Sequence, residues 1–112
     1  MAHGNYENPL QEMVKAIVRE VDPERIIMFG SRARGDSSLN SDTDLLIIKS
    51  EPFGLHRSKW KEMSQLWSLV ARFRKPVDLL LYSKDEVEKW RNSKNHVISK
   101  ALSEGKILYE RH

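Results

Sequence analysis

The sequence predicts an α+β domain in which helices pack on one face of a small mixed sheet of three to four strands. Two observations lead to this class. Short apolar segments bounded by glycine, proline or polar residues are typical of buried strands, and longer segments with an apolar residue every three or four positions are typical of amphipathic helices. The chain has 112 residues, a length that favours one folding unit, so we expect a single domain over residues 1–112.

The N-terminal half is predicted to contain one helix and two strands. Residues 8–21 begin with an asparagine N-cap and a proline at the first helical position, and their apolar residues then follow helical spacing. The segment RIIMFG, residues 25–30, is short, apolar and closed by glycine, which indicates a buried strand. A turn or short helix over 31–36 and a polar loop then lead to a second strand, TDLLIIK, at 43–49.

The C-terminal half is predicted to continue with helices and two further strands. A second long helix is expected over 55–73, and VDLLLY at 77–82 reads as the third strand. Ser83 is the predicted N-cap of the next helix, with a glutamate three residues later that completes a capping box. Another helix over 96–105 ends in a glycine, and KILYE at 106–110 predicts a short edge strand. The apolar face expected for the second long helix consists of Trp60, Met63, Leu66, Trp67, Leu69, Val70 and Phe73.

Composition excludes several kinds of chemistry. The chain has no cysteine, which excludes disulfides, thiolate zinc sites and cysteine nucleophiles. Its four histidines show neither HExxH nor any paired spacing, and no GxSxG motif is present. The N-terminal segment is too charged for a signal peptide, and no apolar run approaches the roughly 18 residues of a membrane span. We therefore expect a cytoplasmic protein without a membrane partner.

Charge is unevenly distributed along the chain. The formal net charge is +3, but residues 49–75 carry seven basic and two acidic side chains, whereas residues 1–48 carry five basic and eight acidic ones. A basic segment of this kind suits an acidic protein or a phosphate-bearing partner, and it equally suits a solvated helix face. Direct binding of nucleic acid therefore stays open at the level of sequence.

Three aspartates lie at the beginnings of apolar strands. Side chains alternate along a strand, so Asp42 and Asp44 point to the same side, and Asp78 begins the third strand in a similar way. If the two strands are neighbours and start level, the three carboxylates converge, and a cation is needed to offset their repulsion. Oxygen ligands of this type favour Mg²⁺ or Mn²⁺. The competing interpretation is a turn in which aspartate side chains cap backbone amides, and for Asp42 alone that interpretation is the better one.

A glycine turn precedes these acids in FGSRARGDSSLNSDTDLLII, residues 29–48. Gly30 lets the backbone approach an oxyanion directly after a strand, and Ser31 adds a hydroxyl donor. Arg32 and Arg34 add positive charge nearby. A Gly-Ser pair after a strand is a weak signal alone, and neither a Walker loop nor a GxGxxG fingerprint is present. The Gly-Ser pair becomes informative because two acids follow it about ten residues later and a third acid lies on a later strand.

This combination resembles the nucleotidyltransferase superfamily of DNA polymerase beta, whose motif is a Gly-Ser turn, a spacer, Asp-x-Asp and a third strand acid. The motif is specific, and the match extends over about residues 10–110. More narrowly, the chain resembles the minimal nucleotidyltransferases (MNT), which are often antitoxins paired with helical HEPN toxins. The ending SKALSEGKILYE is also similar to theirs. The resemblance implies a polymerase beta-like nucleotidyltransferase fold.

The resemblance also implies roles for these residues. Gly30 and Ser31 would bind the phosphates of a nucleoside triphosphate, with Arg32 and Arg34 in supporting roles. The acids Asp42, Asp44 and Asp78 would be both metal ligands and catalytic groups. The implied reaction is Mg²⁺- or Mn²⁺-dependent transfer of a nucleotide to a hydroxyl acceptor, and the nucleotide expected is AMP from ATP. The acceptor would belong to a HEPN toxin that forms a hetero-oligomer with this antitoxin.

Two alternatives to this adenylyltransferase remain open. One is a binding module without catalysis, which neutralises a toxin by masking its surface. The other is an aminoglycoside or RNA nucleotidyltransferase, which the length of the chain disfavours because those relatives carry a second domain that grips the acceptor. The sequence names neither the acceptor, nor the nucleotide base, nor the stoichiometry.

Overall fold

The computed structural model describes residues 9–30, 43–54, 58–73 and 76–111. The elements in these ranges, in chain order, are α1 (Pro9–Val21), β1 (Arg25–Phe29), β2 (Thr43–Lys49), α2 (Lys59–Ala71), β3 (Val77–Ser83), α3 (Lys84–Trp90), α4 (Val97–Glu104) and β4 (Lys106–Glu110). This is the predicted order of helices and strands. The predicted N-cap of α1 and the predicted turn or short helix over 31–36 lie outside the described residues.

The four strands form one mixed sheet in the order β3-β2-β1-β4. β1 lies antiparallel to both β2 and β4, whereas β2 and β3 are parallel. Parallel neighbours require a crossover connection, and α2 lies within the segment that joins β2 to β3. The predicted α+β class with a small mixed sheet is therefore confirmed, and the predicted edge strand KILYE is β4.

Helices cover both faces of the sheet, so the prediction that they pack on one face is wrong. Ile26 is buried in the core on the side of α1 and α2, whereas the next residue, Ile27, is buried in a second core with α3 and α4. Adjacent residues of a strand point to opposite faces, so apolar residues in succession need cover on both sides. β2 shows the same arrangement, since its four central residues, Leu45–Ile48, are all buried.

The buried face of α2 differs from the predicted one. Leu66, Leu69 and Val70 are buried, but Trp60 is 82% exposed and Trp67 is 42% exposed. The prediction that both tryptophans belong to the core is therefore wrong. At 100° per residue they lie roughly a third of a turn from the centre of the buried face. Helical spacing alone could not distinguish the exposed tryptophans from the buried residues, because both sets recur every three or four positions.

The two short helices have well-defined ends. The Ser83 hydroxyl accepts a hydrogen bond from the backbone N–H of Glu86, whose carboxylate accepts one from the Ser83 N–H, so the predicted capping box is present. His96 is the N-cap of α4, where its Nδ1 accepts from the N–H of Ile98 at 3.1 Å. Its ring also stacks on Trp90 with centroids 4.7 Å apart. This histidine therefore has a structural role.

Candidate functional site

Two acidic side chains meet on neighbouring parallel strands. Asp44, the second residue of β2, is the direct register partner of Asp78, the second residue of β3. Aligned residues of parallel strands share a face of the sheet, and neighbouring strands are about 4.8 Å apart. Asp78 is exposed and Asp44 is partly buried. The condition set by the sequence, that the two strands be neighbours and start level, is met by this register.

Gly30 lies against the first of these acids. Phe29, the last residue of β1, is the register partner of Asp44, and Gly30 follows it with φ +90°. This conformation favours glycine because it is unfavourable for residues with a Cβ atom. A Cβ atom at Gly30 would also overlap the Oδ2 atom of Asp44. Conformation and close approach therefore both require glycine at this position.

The arrangement favours a cation electrostatically. Two carboxylates on adjacent strands repel each other, and a bound cation would relieve this repulsion. Carboxylate oxygens are ligands that Mg²⁺ and Mn²⁺ accept, usually together with water and substrate phosphates. A side chain at Gly30 would overlap the Asp44 carboxylate, so glycine leaves room for it. Asp44 and Asp78 thus fit a divalent metal in donor type and in placement.

The remaining predicted site residues, Asp42, Ser31, Arg32 and Arg34, lie outside the described residues. Among the residues that the structure describes, no group of three or more His, Asp or Glu side chains is placed to hold a metal. The structure therefore brings together three of the predicted residues, Gly30, Asp44 and Asp78, and their roles stay predictions.

One residue at this site was not singled out from the sequence. Phe29 is partly buried against the core on the side of α3 and α4, and it is level with Asp44 in the β1–β2 register. Leu80, two residues after Asp78 on the same face, packs against the same core. Both acids therefore border an apolar floor. The available signal was the aromatic residue directly before the glycine turn.

A mixed four-stranded sheet with a glycine turn after β1 and paired acids on β2 and β3 defines the nucleotidyltransferase class of α+β domains. In agreement, the family model described as "Polymerase beta, Nucleotidyltransferase" matches residues 11–112. The chain belongs to this family. No curated protein sequence matches the chain significantly.

Solved structures support the fold. A candidate nucleotidyltransferase from Sulfolobus solfataricus is 23% identical, with a TM-score of 0.61 over 92% of this chain and 78% of its own. A structure described as a toxin-antitoxin with AMP-PNP is 20% identical, with a TM-score of 0.55 over 91% of this chain and 74% of its own. At these identities the similarity establishes the polymerase beta-like nucleotidyltransferase fold. Within the described residues, no helix has the length and apolar character needed to cross a bilayer.

Proposed function

We propose that this protein is a metal-dependent nucleotidyltransferase that transfers AMP from ATP to a hydroxyl group of a HEPN-type toxin, and so acts as an antitoxin. The observation that carries the proposal is the register that aligns Asp44 with Asp78 on neighbouring strands. Gly30 lies beside Asp44, and a Cβ atom added at Gly30 would collide with the carboxylate. An ordinary capping turn requires no second acid on the neighbouring strand. A site for a metal-bound triphosphate requires both acids and an open backbone next to them.

Each predicted site residue would have a part in this reaction. Asp44 and Asp78 would hold Mg²⁺, with Asp42 as a further ligand. When bound, the metal ions would neutralise the phosphates and stabilise charge on the attacking and leaving oxygens. Gly30 lets the backbone approach the triphosphate, where Ser31 would donate a hydrogen bond, and the Asp78 carboxylate would accept the proton of the acceptor hydroxyl. Arg32 and Arg34 would add positive charge near the phosphates.

The step balances as an in-line displacement. The acceptor oxygen forms a bond to the α-phosphorus of ATP while the bond between that phosphorus and the bridging oxygen to the β-phosphate breaks. The products are an adenylylated acceptor and pyrophosphate, and the hydroxyl proton passes to Asp78. No oxidant or reductant is involved.

The choice of a toxin as partner rests on two supports. The sequence resembles the MNT antitoxins, and one structure of the same fold is described as a toxin-antitoxin with AMP-PNP. Modification of a protein hydroxyl would also suit a site in which Asp78 is exposed at the edge of the sheet, where a large acceptor can reach it.

The proposal is tested by weighing the partner. The product of the adjacent reading frame, which we expect to be a HEPN-type protein, is incubated with the purified protein, Mg²⁺ and each nucleoside triphosphate in turn, and its intact mass is measured. We expect a mass gain of one AMP with ATP, lost when Mg²⁺ is chelated. Asp44→Asn and Asp78→Asn should each reduce the transfer rate by about 10²-fold or more, because each removes a charged ligand at the reacting phosphate.

Asp22→Asn is the matched control, since Asp22 lies before β1, at the end of the strand opposite Gly30. It has a positive φ of 52°, a conformation that asparagine tolerates well. We expect full activity in this variant. Full activity in Asp44→Asn and Asp78→Asn would refute the catalytic proposal. A partner that is bound and inhibited without any mass gain would instead establish the non-catalytic binding module.

A further inference from the structure

The outer surface of α2 carries two exposed tryptophans. Trp60 is 82% exposed and Trp67 is 42% exposed. They are two helical turns apart, roughly 10 Å along the axis, on one side of the helix. Ser64 and Ala71 each lie one turn after a tryptophan, and both are exposed. These four residues form an uncharged strip on the helix surface, which we call the tryptophan strip.

The tryptophan strip is not needed to build the core. The residues of α2 that are buried against the sheet are Leu66, Leu69 and Val70, and neither tryptophan is among them. Single exposed apolar residues are normal, but large ones that lie side by side mark contact surfaces. Tryptophan is also enriched among the few residues that dominate the binding energy of interfaces. The strip therefore has the character of a docking surface.

Contacts of α2 show which way the strip faces. Arg72, at the C-cap, forms an ion pair with Glu20 of α1 at 3.2 Å, so one flank of α2 adjoins α1. Beyond α1 lies the β4 edge of the sheet, whereas α2 packs against β3, the opposite edge strand. Around the helix axis, Trp67 is about 140° from Arg72 and only about 80° from Lys59 on the other flank. Trp67 is thus turned away from α1, toward the outer side of β3.

The outer side of β3 is also where the candidate site opens. Asp78 is exposed on this edge strand. Five residues join the end of α2 at Ala71 to the start of β3 at Val77, so Trp67 and Asp78 lie toward the same end of the sheet. A standard protein interface covers about 800 Å² of each partner, a patch roughly 30 Å across. A protein that presents a hydroxyl to Asp78 over the β3 edge would therefore also contact the tryptophan strip.

Charge at the border of the strip indicates what kind of partner it fits. The strip itself contains no cation that could contact a series of phosphates, which favours a protein over a nucleic acid. Lys59 at one border is paired with Glu86 at 3.3 Å. Lys61, directly after Trp60, is exposed and adds positive charge beside the strip. The complementary partner surface is apolar at its centre and acidic at its rim.

We propose that the tryptophan strip is the docking surface for the protein acceptor of the transfer reaction. The acceptor would cover Trp60 and Trp67 with an apolar pocket bordered by carboxylates, and would extend over the β3 edge to Asp78. The identity of the partner rests on the proposed function, but docking requires neither nucleotide nor metal. The two tryptophans set the affinity for the acceptor and take no part in the chemistry.

The test measures docking and transfer separately. The product of the adjacent reading frame is titrated into this protein by calorimetry, without nucleotide or Mg²⁺. Trp60→Ala should raise the Kd about tenfold or more, because it removes a side chain at the centre of the contact. In the transfer assay the same variant should raise the KM for the acceptor by a similar factor and leave kcat unchanged. Trp67→Ala should act in the same direction, and thermal unfolding checks that both variants are folded.

Two matched controls lie at the opposite edge of the sheet. Ile107 on β4 is also a large exposed apolar residue, at 52%, so Ile107→Ala should bind the acceptor as the unmodified protein does. Lys61→Glu should weaken binding severalfold, because it places an anion beside the acidic rim of the acceptor. Lys106→Glu makes the same charge change at an exposed position of β4 and should leave the Kd unchanged.

The outcomes distinguish this inference from the proposed function. Acceptor binding that depends on Trp60, without any mass gain when ATP and Mg²⁺ are added, would support docking and refute the transferase. Equal Kd and equal KM in Trp60→Ala, Trp67→Ala and the unmodified protein would overturn the docking proposal even if AMP is transferred. The absence of acceptor binding by the unmodified protein would also overturn it. So would a single-stranded RNA that binds the unmodified protein but not Trp60→Ala while the acceptor binds both equally, since the strip would then be a nucleic-acid surface.

Discussion

Gly30 is the residue at which backbone conformation and the proposed chemistry are most closely linked. It follows the last residue of β1 with a φ of +90°, and a Cβ atom at this position would overlap the Asp44 carboxylate. A side chain here would be strained and would also displace the carboxylate. The two costs act on different properties, since strain lowers stability and displacement of the carboxylate would lower activity. They can therefore be measured separately.

We expect Gly30→Ala to lower the free energy of unfolding by about 1–2 kcal/mol, the cost of placing a side chain in the left-handed region. Transfer activity should fall by much more than this loss of stability explains, because the new methyl group overlaps Oδ2 of Asp44. Gly54→Ala is the matched control, since a Cβ atom at Gly54 meets nothing within 4 Å. Denaturant unfolding and a transfer assay on both variants check the prediction. Equal activity in the two variants would contradict it.

Much of the described part of the candidate site was predictable from sequence for a physical reason. Charge is costly inside an apolar strand, so Asp44 before LLII and Asp78 before LLL stand out as positions that need an explanation. What the sequence does not contain is the register between β2 and β3. Because residues far apart in the chain form that register, only the structure shows that the two acids are direct partners. The contact between Gly30 and Asp44 was likewise not visible in the sequence.

At the scale of elements, α2 shows how periodicity can mislead. Trp60 and Trp67 follow helical spacing as well as Leu66, Leu69 and Val70 do, and the prediction placed both sets on one face. The structure separates them, because the surface that α2 covers is narrow enough to bury Leu66 fully and leave Trp60 in solvent. Large size and apolar character do not by themselves place a tryptophan inside.

Truncation to alanine should have a large effect on stability on the buried face of α2 and a small one on its exposed face. Leu66→Ala should lower the free energy of unfolding by about 2–5 kcal/mol, because Leu66 is fully buried in the core against the sheet. Trp60→Ala removes a larger side chain, but it should change stability by no more than about 0.5 kcal/mol, because that side chain is 82% exposed. Urea unfolding of both variants gives the comparison. A larger loss for Trp60→Ala than for Leu66→Ala would contradict this assignment of the faces.

The helices on the second face of the sheet were missed although the sequence contained a signal. A sheet covered on one face shows alternating apolar and polar residues, whereas β2 is apolar at Leu45, Leu46, Ile47 and Ile48. Such a run needs cover on both sides, and α3 and α4 provide the second cover. The number and order of elements follow from local patterns, but their assignment to a face depends on this distinction between alternating and continuous runs.

For the whole molecule, cover on both faces separates two surfaces. The paired acids lie at one end of the sheet on the side of α3 and α4, and a groove lined by Leu10, Val14 and Val18 of α1 lies along the β4 edge on the opposite side. Between them lie the two cores, to which buried residues of the strands and of all four helices contribute.

Nucleotide binding should be measurable as a property of the whole molecule, without any acceptor. A ligand that binds only the folded state stabilises it by about 2.7 kcal/mol when its concentration is 100 times its Kd. For a domain near this size, that corresponds to a rise in Tm of roughly 10 °C. We expect ATP with Mg²⁺ to produce such a rise and ATP with a chelator to produce little, since the repulsion between the triphosphate and the paired carboxylates is then not offset. Asp78→Asn should reduce the rise, whereas Asp22→Asn should preserve it.

An equal rise with and without Mg²⁺ would mean that ATP binds away from the paired acids. The absence of any rise at saturating ATP would contradict nucleotide binding itself, and with it the proposed transferase.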